Sequence, residues 1–322
     1  MDVLSDVLAA VRLTGAVFFD IDAGCPWVGK SPPTSAISAA VMPGAQHIIE
    51  FHAVLSGSCW AALSDRAETA VELNAGDVVA FPNGASNTMS SSRGVRGEVN
   101  MAMYVRPVDT QLPFMIIHGS EGDERTRFIC GYLGCDARPF NPLLAALPDM
   151  LCARKPADGS SWVPDLFRLA LVERDRQRAG TETILAKLSE LMFVEVVRQH
   201  LEALPAKSRG WLSGVRDPHV GHALKLIHSR PAEGWTLDQL AREVGLSRST
   251  FADRFSHFVE VPPMQYLAHW RIQLAARRLE NPGVTIAQAA AEVGYESEAA
   301  FNRAFKRLIG EPPGAWRKAT VH

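Results

Sequence analysis

Two groups of residues in this 322-residue chain have the types and spacing to do chemistry. The first is a set of soft ligands and nucleophiles. Cys130 and Cys135, separated by four residues, form with His52 or Cys25 a candidate soft-metal or redox site. The bland reading of the same residues is buried small thiols and a satisfied histidine. The five cysteines are few, odd in number and unevenly spaced, which argues for reduced thiols and against a disulfide framework. The second group lies near the C-terminus, in a segment that the chain writes twice: GLSRSTFADRFSHFVEVPPMQYL from Gly245 and GYESEAAFNRAFKRLIGEPPGAWR from Gly294. Val244-Gly245-Leu246 matches Val293-Gly294-Tyr295 at an offset of 49 residues. After one extra residue, Glu296, the offset becomes 50: Ser247, Phe251, Phe255, Pro262, Pro263 and Tyr266 match Ser297, Phe301, Phe305, Pro312, Pro313 and Trp316.

The elements that must position the repeated residues are helices. Each copy is preceded by a short amphipathic stretch, TLDQLAREV or TIAQAAAEV, that ends at the glycine. Glycine takes a left-handed turn without strain, and the serine that follows caps a second helix. This is helix-turn-helix grammar, in which phenylalanines four apart face a core and the residues between them face a groove. Between the copies, Met264 to Asn281 reads as one helix. At 1.5 Å per residue it spans about 26 Å, a stiff spacer able to place two reading heads in major-groove segments roughly 34 Å apart.

Upstream the texture differs. From Ala36 to Tyr104 short apolar runs alternate with Gly, Pro and Asn punctuation, which predicts consecutive β-hairpins. An apolar barrel interior is a natural small-ligand pocket, with Phe51, Trp60, Phe81, Met101 and Met103 as inward candidates. Residues 165–204 carry helical periodicity, with Ile184, Leu188, Leu191, Val194, Val197 and Leu201 on one stripe, Thr181 as cap and Pro205 as stop. That stripe either dimerises or packs back on the barrel, and dimerisation is favoured. The expected fold class is therefore α+β: a sensor barrel over residues 1–164, a helical connector over 165–210 and an all-α double helix-turn-helix domain over 211–322.

Composition narrows the function classes. Residues 215–322 hold 14 Lys and Arg against 11 Asp and Glu, whereas residues 1–214 hold 19 against 24. The lean toward a polyanion is mild, so pattern must decide. No uninterrupted run of eighteen apolar residues occurs, and the N-terminus carries acids where a secretory leader carries Lys or Arg, so a cytoplasmic protein without membrane partners is expected. Walker, G-x-G-x-x-G and H-E-x-x-H patterns are absent.

The C-terminal hundred residues, above all GYESEAAFNRAFKRLIGEPPGAWR, resemble the DNA-binding domain of the AraC/XylS family of bacterial transcription regulators. The resemblance implies double-stranded DNA and RNA polymerase as partners, activation of transcription, and a homodimer. By position it implies DNA contacts from Arg248, Ser249, Ala252 and Asp253 in the first recognition helix, and from Glu298, Ala299, Asn302 and Arg303 in the second. Arg254 and Lys306 join them as basic neighbours. Asp253 departs from expectation, since an acid is repelled by phosphate. It either accepts a hydrogen bond from a cytosine amino group or, the stronger reading, pairs with Arg254 or Arg248.

The β-rich part resembles the cupins. Glu50 and Gly57 reproduce the spacing of a first cupin motif, and GDVVAFPNGASN, from Gly76 to Asn87, reproduces the second except at its last position, where Asn87 replaces a metal-binding histidine. Of the expected H-x-H pair only His47 is present, one step out of register. A cupin-like barrel without a catalytic metal centre or cofactor follows, with a soft metal at His52 and Cys130 as a minor possibility. Cys130-Gly131 and His52 further resemble the regulatory domain of a cupin-bearing branch of the AraC family, which implies a sensor of a small-molecule, redox or metal signal. The rival reading is a cupin-type metalloenzyme fused to a DNA anchor.

Overall fold

Alternating apolar runs fold as strands because only one face of each can be buried, and the periodic segments fold as helices for the same reason with a longer repeat. The computed structural model describes residues 2–105, 112–119, 124–156, 163–176, 178–205 and 208–320. In chain order the elements begin with α1 (Val3–Ala10), β1 (Thr14–Gly24), β2 (Val28–Ser31) and α2 (Ser38–Val41). Next come β3 (His47–Ser56), β4 (Ser58–Leu63), β5 (Arg66–Asn74), β6 (Val78–Phe81) and β7 (Asn87–Ser90). Then follow β8 (Phe114–His118), β9 (Arg125–Cys135), α3 (Pro142–Ala146), β10 (Leu151–Ala153), α4 (Val163–Arg176) and α5 (Thr181–Ala203). The rest is helical: α6 (Trp211–Arg216), α7 (Pro218–Ser229), α8 (Leu237–Glu243), α9 (Arg248–Val259), α10 (Pro263–Leu279), α11 (Ile286–Glu292), α12 (Glu298–Ile309) and α13 (Pro313–Thr320).

The chain forms two compact units. One comprises Leu13–Cys135 and Leu147–Ala203; the other comprises Met1–Arg12, Asp136–Ala146 and Leu204–His322. In the first, a six-stranded sheet of order β10-β6-β3-β9-β1-β8 faces a four-stranded sheet of order β2-β7-β4-β5. Strands thus begin at Thr14 and continue to Ala153, beyond the Ala36–Tyr104 region where hairpin punctuation is densest. Between the sheets lies a hydrophobic core that includes Phe19, Trp27, Phe81, Phe128 and Tyr132.

Four of the five residues expected to point inward do not. Phe81 does, but Phe51 lies on the opposite face of β3, beside Ile129, Leu166 and Leu185 under α4 and α5. Trp60 lies on the outer face of β4, while Met101 and Met103 are exposed. Alternation along a strand separates two faces but does not say which one is inside.

The long helix α5 packs on β1 and β10. Its buried line is Leu185, Ser189, Met192, Phe193, Val196 and Val197. The apolar stripe expected from the sequence is a neighbouring line: Ile184 and Leu191 on it are exposed, and only Val197 belongs to both. Gly15 explains the choice: a Cβ there would sit 2.4 Å from the Ala186 carbonyl oxygen, so the helix approaches β1 where β1 has no side chain and α5 presents the small Ser189. Thr181 is the first residue of α5 and donates its hydroxyl to Glu173 of α4 at 2.9 Å.

In the second unit α1 packs with α7 and α10, and residues 136–146 join the same helical body. Arg12 bridges Asp136 at 2.8 Å and Glu280 at 2.5 Å. The two helix-turn-helix copies, α8–α9 and α11–α12, correspond residue for residue at their boundaries. Thr236 with Gln239, and Thr285 with Gln288, form capping boxes. Gly245 at φ 70° and Gly294 at φ 87° make the turns, and Ser247 and Ser297 cap α9 and α12. Phe251 and Phe255 in one copy, and Phe301 and Phe305 in the other, are fully buried. The spacer α10 is 17 residues long, about 24 Å.

Candidate nucleic-acid interface and the buried polar cluster of the barrel

The outward positions of the two recognition helices share a backbone but not a chemistry. On α9, Arg248, Ser249 and Asp253 are exposed and Ala252 is half-buried. Arg248 lies 3.8 Å from Asp238 of α8. Arg254 turns the other way: its Nε and Nη2 donate to Asp217 at 3.0 and 2.5 Å. Asp217 is in turn the N-cap of α7, accepting from the backbone N–H of His219 and Val220. Burial works to raise the Asp217 carboxyl, but Arg254 and those N–H donors outweigh it and hold the group below its ordinary value. Asp253 pairs with neither arginine, contrary to the favoured expectation, because both have other acids within reach; among the described residues it has no partner.

On α12, Glu298, Ala299, Arg303, Lys306 and Arg307 are exposed and Asn302 is half-buried. Arg303, Lys306 and Arg307 form no ion pair among the described residues, and the Asn302 carbonyl oxygen is buried without a hydrogen-bond donor. Among the described residues the first helix therefore presents Arg248, 3.8 Å from Asp238, and the unpaired acid Asp253, the second three cations without ion pairs and the unpaired acid Glu298.

The barrel holds the other chemistry. His52 on β3 lies opposite Cys130 on β9, with Nδ1 2.6 Å from Sγ. Its Nε2 is 3.1 Å from the Asn87 carbonyl oxygen, and Asn87 Nδ2 donates to Glu50 at 2.6 Å. The other Glu50 oxygen accepts from Ser31 at 2.7 Å. If Asn87 donates to Glu50, its oxygen takes the His52 Nε2–H, leaving Nδ1 to accept from the Cys130 thiol. Burial pushes His52 down to about 4 and Glu50 up to about 7, the latter against the hydrogen bonds from Ser31 and Asn87. Burial, with Glu50 and Cys59 nearby, raises the Cys130 thiol well above its ordinary value. His52 and Cys130 are thus neutral at moderate pH while Glu50 titrates near neutrality, and a buried neutral thiol is a poor nucleophile.

Of the four sensor residues expected from sequence, the structure brings only His52 and Cys130 together. Cys135 is five residues from Cys130 on the same strand, so the two side chains leave opposite faces about 17 Å apart along it. Cys25 lies at the margin of the core, its backbone N–H bonded to the Glu124 carbonyl. The metal of catalytic cupins does not fit this donor set. Asn87 stands at a ligand position and engages Glu50 and His52, and the described residues contain no group of three or more His, Cys, Asp or Glu able to hold a metal. Ser31 and Asp217 were missed in the sequence; each acts through a partner 19 or 37 residues away.

Comparison with known proteins agrees with both halves. A cupin family matches residues 2–202, and a helix-turn-helix domain family matches residues 240–319. An AraC-like transcription regulator of Streptomyces lividans is 33% identical over 320 residues, covering 99% of this chain and 98% of its own. The chain belongs to the AraC-like transcription regulators. A second member, from Streptomyces antibioticus, is 31% identical with 99% of both chains covered. The crystal structure of the DNA-binding domain of AdpA in complex with a target DNA is 29% identical over 32% of this chain and 92% of that one, with a TM-score of 0.30. As an AraC-like regulator the chain binds DNA through its helix-turn-helix region, and its relatives are transcription regulators. Among the described residues no helix is long and apolar enough to cross a membrane.

Proposed function

We propose that this regulator draws its electrostatic hold on operator DNA from α12 and part of its sequence discrimination from α9. The observation that carries the reading is the charge difference between the helices: Arg303, Lys306 and Arg307 are unpaired, whereas Arg254 is bound to Asp217 and Arg248 lies near Asp238. Unpaired cations release counterions from phosphate, and cations already paired to acids release fewer. Ser249, Ala252 and Asp253 on α9, with Glu298, Ala299 and Asn302 on α12, are then the base-facing set. Asp253 cannot favour phosphate, so its contact is with a cytosine amino group. Gel-shift titration of Arg303→Ala on operator DNA tests the reading: binding weakens by about tenfold and the salt slope falls by about 1. Unchanged binding across the titration sinks it.

The barrel domain acts as the sensor of a small molecule. A chain of this kind works as a homodimer that meets RNA polymerase at the promoter. Leu169, Val172, Ile184 and Leu191 support dimerisation, as exposed apolar residues on α4 and α5 that the barrel leaves uncovered. Sedimentation of Leu191→Glu is expected to show monomer where the parent chain shows dimer.

A further inference from the structure

A cavity of about 450 Å3 opens on the outer face of the four-stranded sheet. Register explains why it is concave. Lys30, Thr88 and Ala62 form one outward row across β2, β7 and β4, and Val28, Ser90 and Trp60 form the next. The middle strand carries two small hydroxyl residues, and Ala62 beside them is smaller still, so a trough runs between Lys30 and Trp60. The loop after β7 forms the lip. It is tied down where Val99 bridges the Lys30 backbone and where Gly97 passes Val28 so closely that a Cβ would lie 2.9 Å from Val28 Cγ2. The Arg93 guanidinium lies over the Trp60 ring at 5.6 Å.

The charges around the trough are of both signs. Lys30 and Arg96 line it together with Asp65 and Glu98. Among the described residues Lys30, Arg96 and Glu98 have no partner, and Asp65 is only within 3.9 Å of Arg66 Nε. An apolar ligand would leave these groups unused, and a simple anion would meet the two acids. A ligand that carries one charge of each sign and an apolar body satisfies all three features: the carboxylate toward Lys30 and Arg96, the ammonium toward Asp65 and Glu98, the body against the part of Trp60 that Arg93 leaves open to the trough. The volume lies in the range of small-molecule sites, about 300–1,000 Å3.

We propose that this trough is the effector site, and that it takes a free α-amino acid with a large apolar or aromatic side chain. The proposal deepens the sensor reading and rests on it. The test is isothermal calorimetry of the full chain with L-tryptophan, L-phenylalanine and L-leucine, each beside its N-acetyl and amide derivative. At least one free amino acid binds, and both of its singly charged derivatives bind at least about tenfold more weakly. Trp60→Ala, and independently Ala62→Arg, which fills the trough from an outward position without touching the core, reduce binding to a similar degree. Both variants keep the ligand-free melting temperature and operator affinity. Binding unaffected by Ala62→Arg, derivatives that bind as well as the parent, or no binding by any of the three overturns the site. If binding is lost in Cys130→Ser, inside the barrel, and kept in Trp60→Ala, the sensor reading stands and the trough falls. The same holds if metabolites without paired charges raise the melting temperature while amino acids do not.

Discussion

The two helix-turn-helix copies show how one backbone plan can be given two tasks. Both open with a Thr–Gln capping box, turn on a left-handed glycine and cap the recognition helix with serine. Both bury two phenylalanines against an aromatic from the following helix, Tyr266 in the first and Trp316 in the second. What differs is where the cations go. In the first copy Arg254 is spent on holding α9 to the start of α7, and the copy carries a buried polar network of Trp211, Tyr266 and His228. In the second copy Trp316 replaces the tyrosine, Arg278 pairs with Glu292 at 2.5 Å, and the arginines of the recognition helix stay free. The interior grammar of a repeat is constrained by packing, whereas its polar partners are free to diverge.

The largest expected consequence is acid sensitivity confined to the first copy. His228 is stacked on Trp270 at 4.0 Å, and burial pushes it down to about 3. A folded-state value below the unfolded one means that the stability is fully present above pH 6.5 and is lost as pH falls toward the folded value. Between pH 7 and pH 5 the first copy therefore loses about 2 kcal/mol. Hydrogen exchange resolved by residue is expected to show α7, α9 and α10 opening more readily at pH 5, with α11 to α13 changing less. Uniform acceleration across both copies would break the comparison.

Next in size is Arg254→Ala, which leaves the nearly buried Asp217 carboxylate without its cation. With the guanidinium itself 42% exposed, solvent screening limits the cost to about 1 kcal/mol. A lower melting temperature with an unchanged salt slope for operator binding is the expected pair of results. A smaller slope with unchanged stability would assign Arg254 to DNA instead. Smaller still is the effect of Asp253→Asn on total affinity. It relaxes preference at one base pair in a selection from randomised operators, by about 1 kcal/mol or somewhat more. Unaltered preference at every position would remove Asp253 from the base-facing set.

Much of this was legible in the chain. Gly245 and Gly294, Ser247 and Ser297, and the paired phenylalanines sit at fixed offsets, and each residue type has a local backbone reason to be there. Asn87 likewise announced a cupin barrel with an altered ligand set. What escaped were relations that need a third dimension. The pairing of Arg254 was not legible because Asp217 is 37 positions away. Trp60 was placed inside the barrel because alternation has no sign. Which α5 line faces the barrel was not legible because apolar residues line more than one face of that helix, and Gly15, far upstream, decides which of them is covered. One miss was avoidable: Cys130 and Cys135 are an odd number of residues apart, so on one strand they diverge.

The division of labour between the recognition helices is tested most directly by the salt dependence of operator affinity in two variants. One removes Arg303, Lys306 and Arg307 together; the other removes Arg248 and Arg254. The first is expected to lower the slope of log K against log salt by about 2 to 3, and the second to leave it nearly unchanged. Equal losses of slope in the two variants would contradict the account.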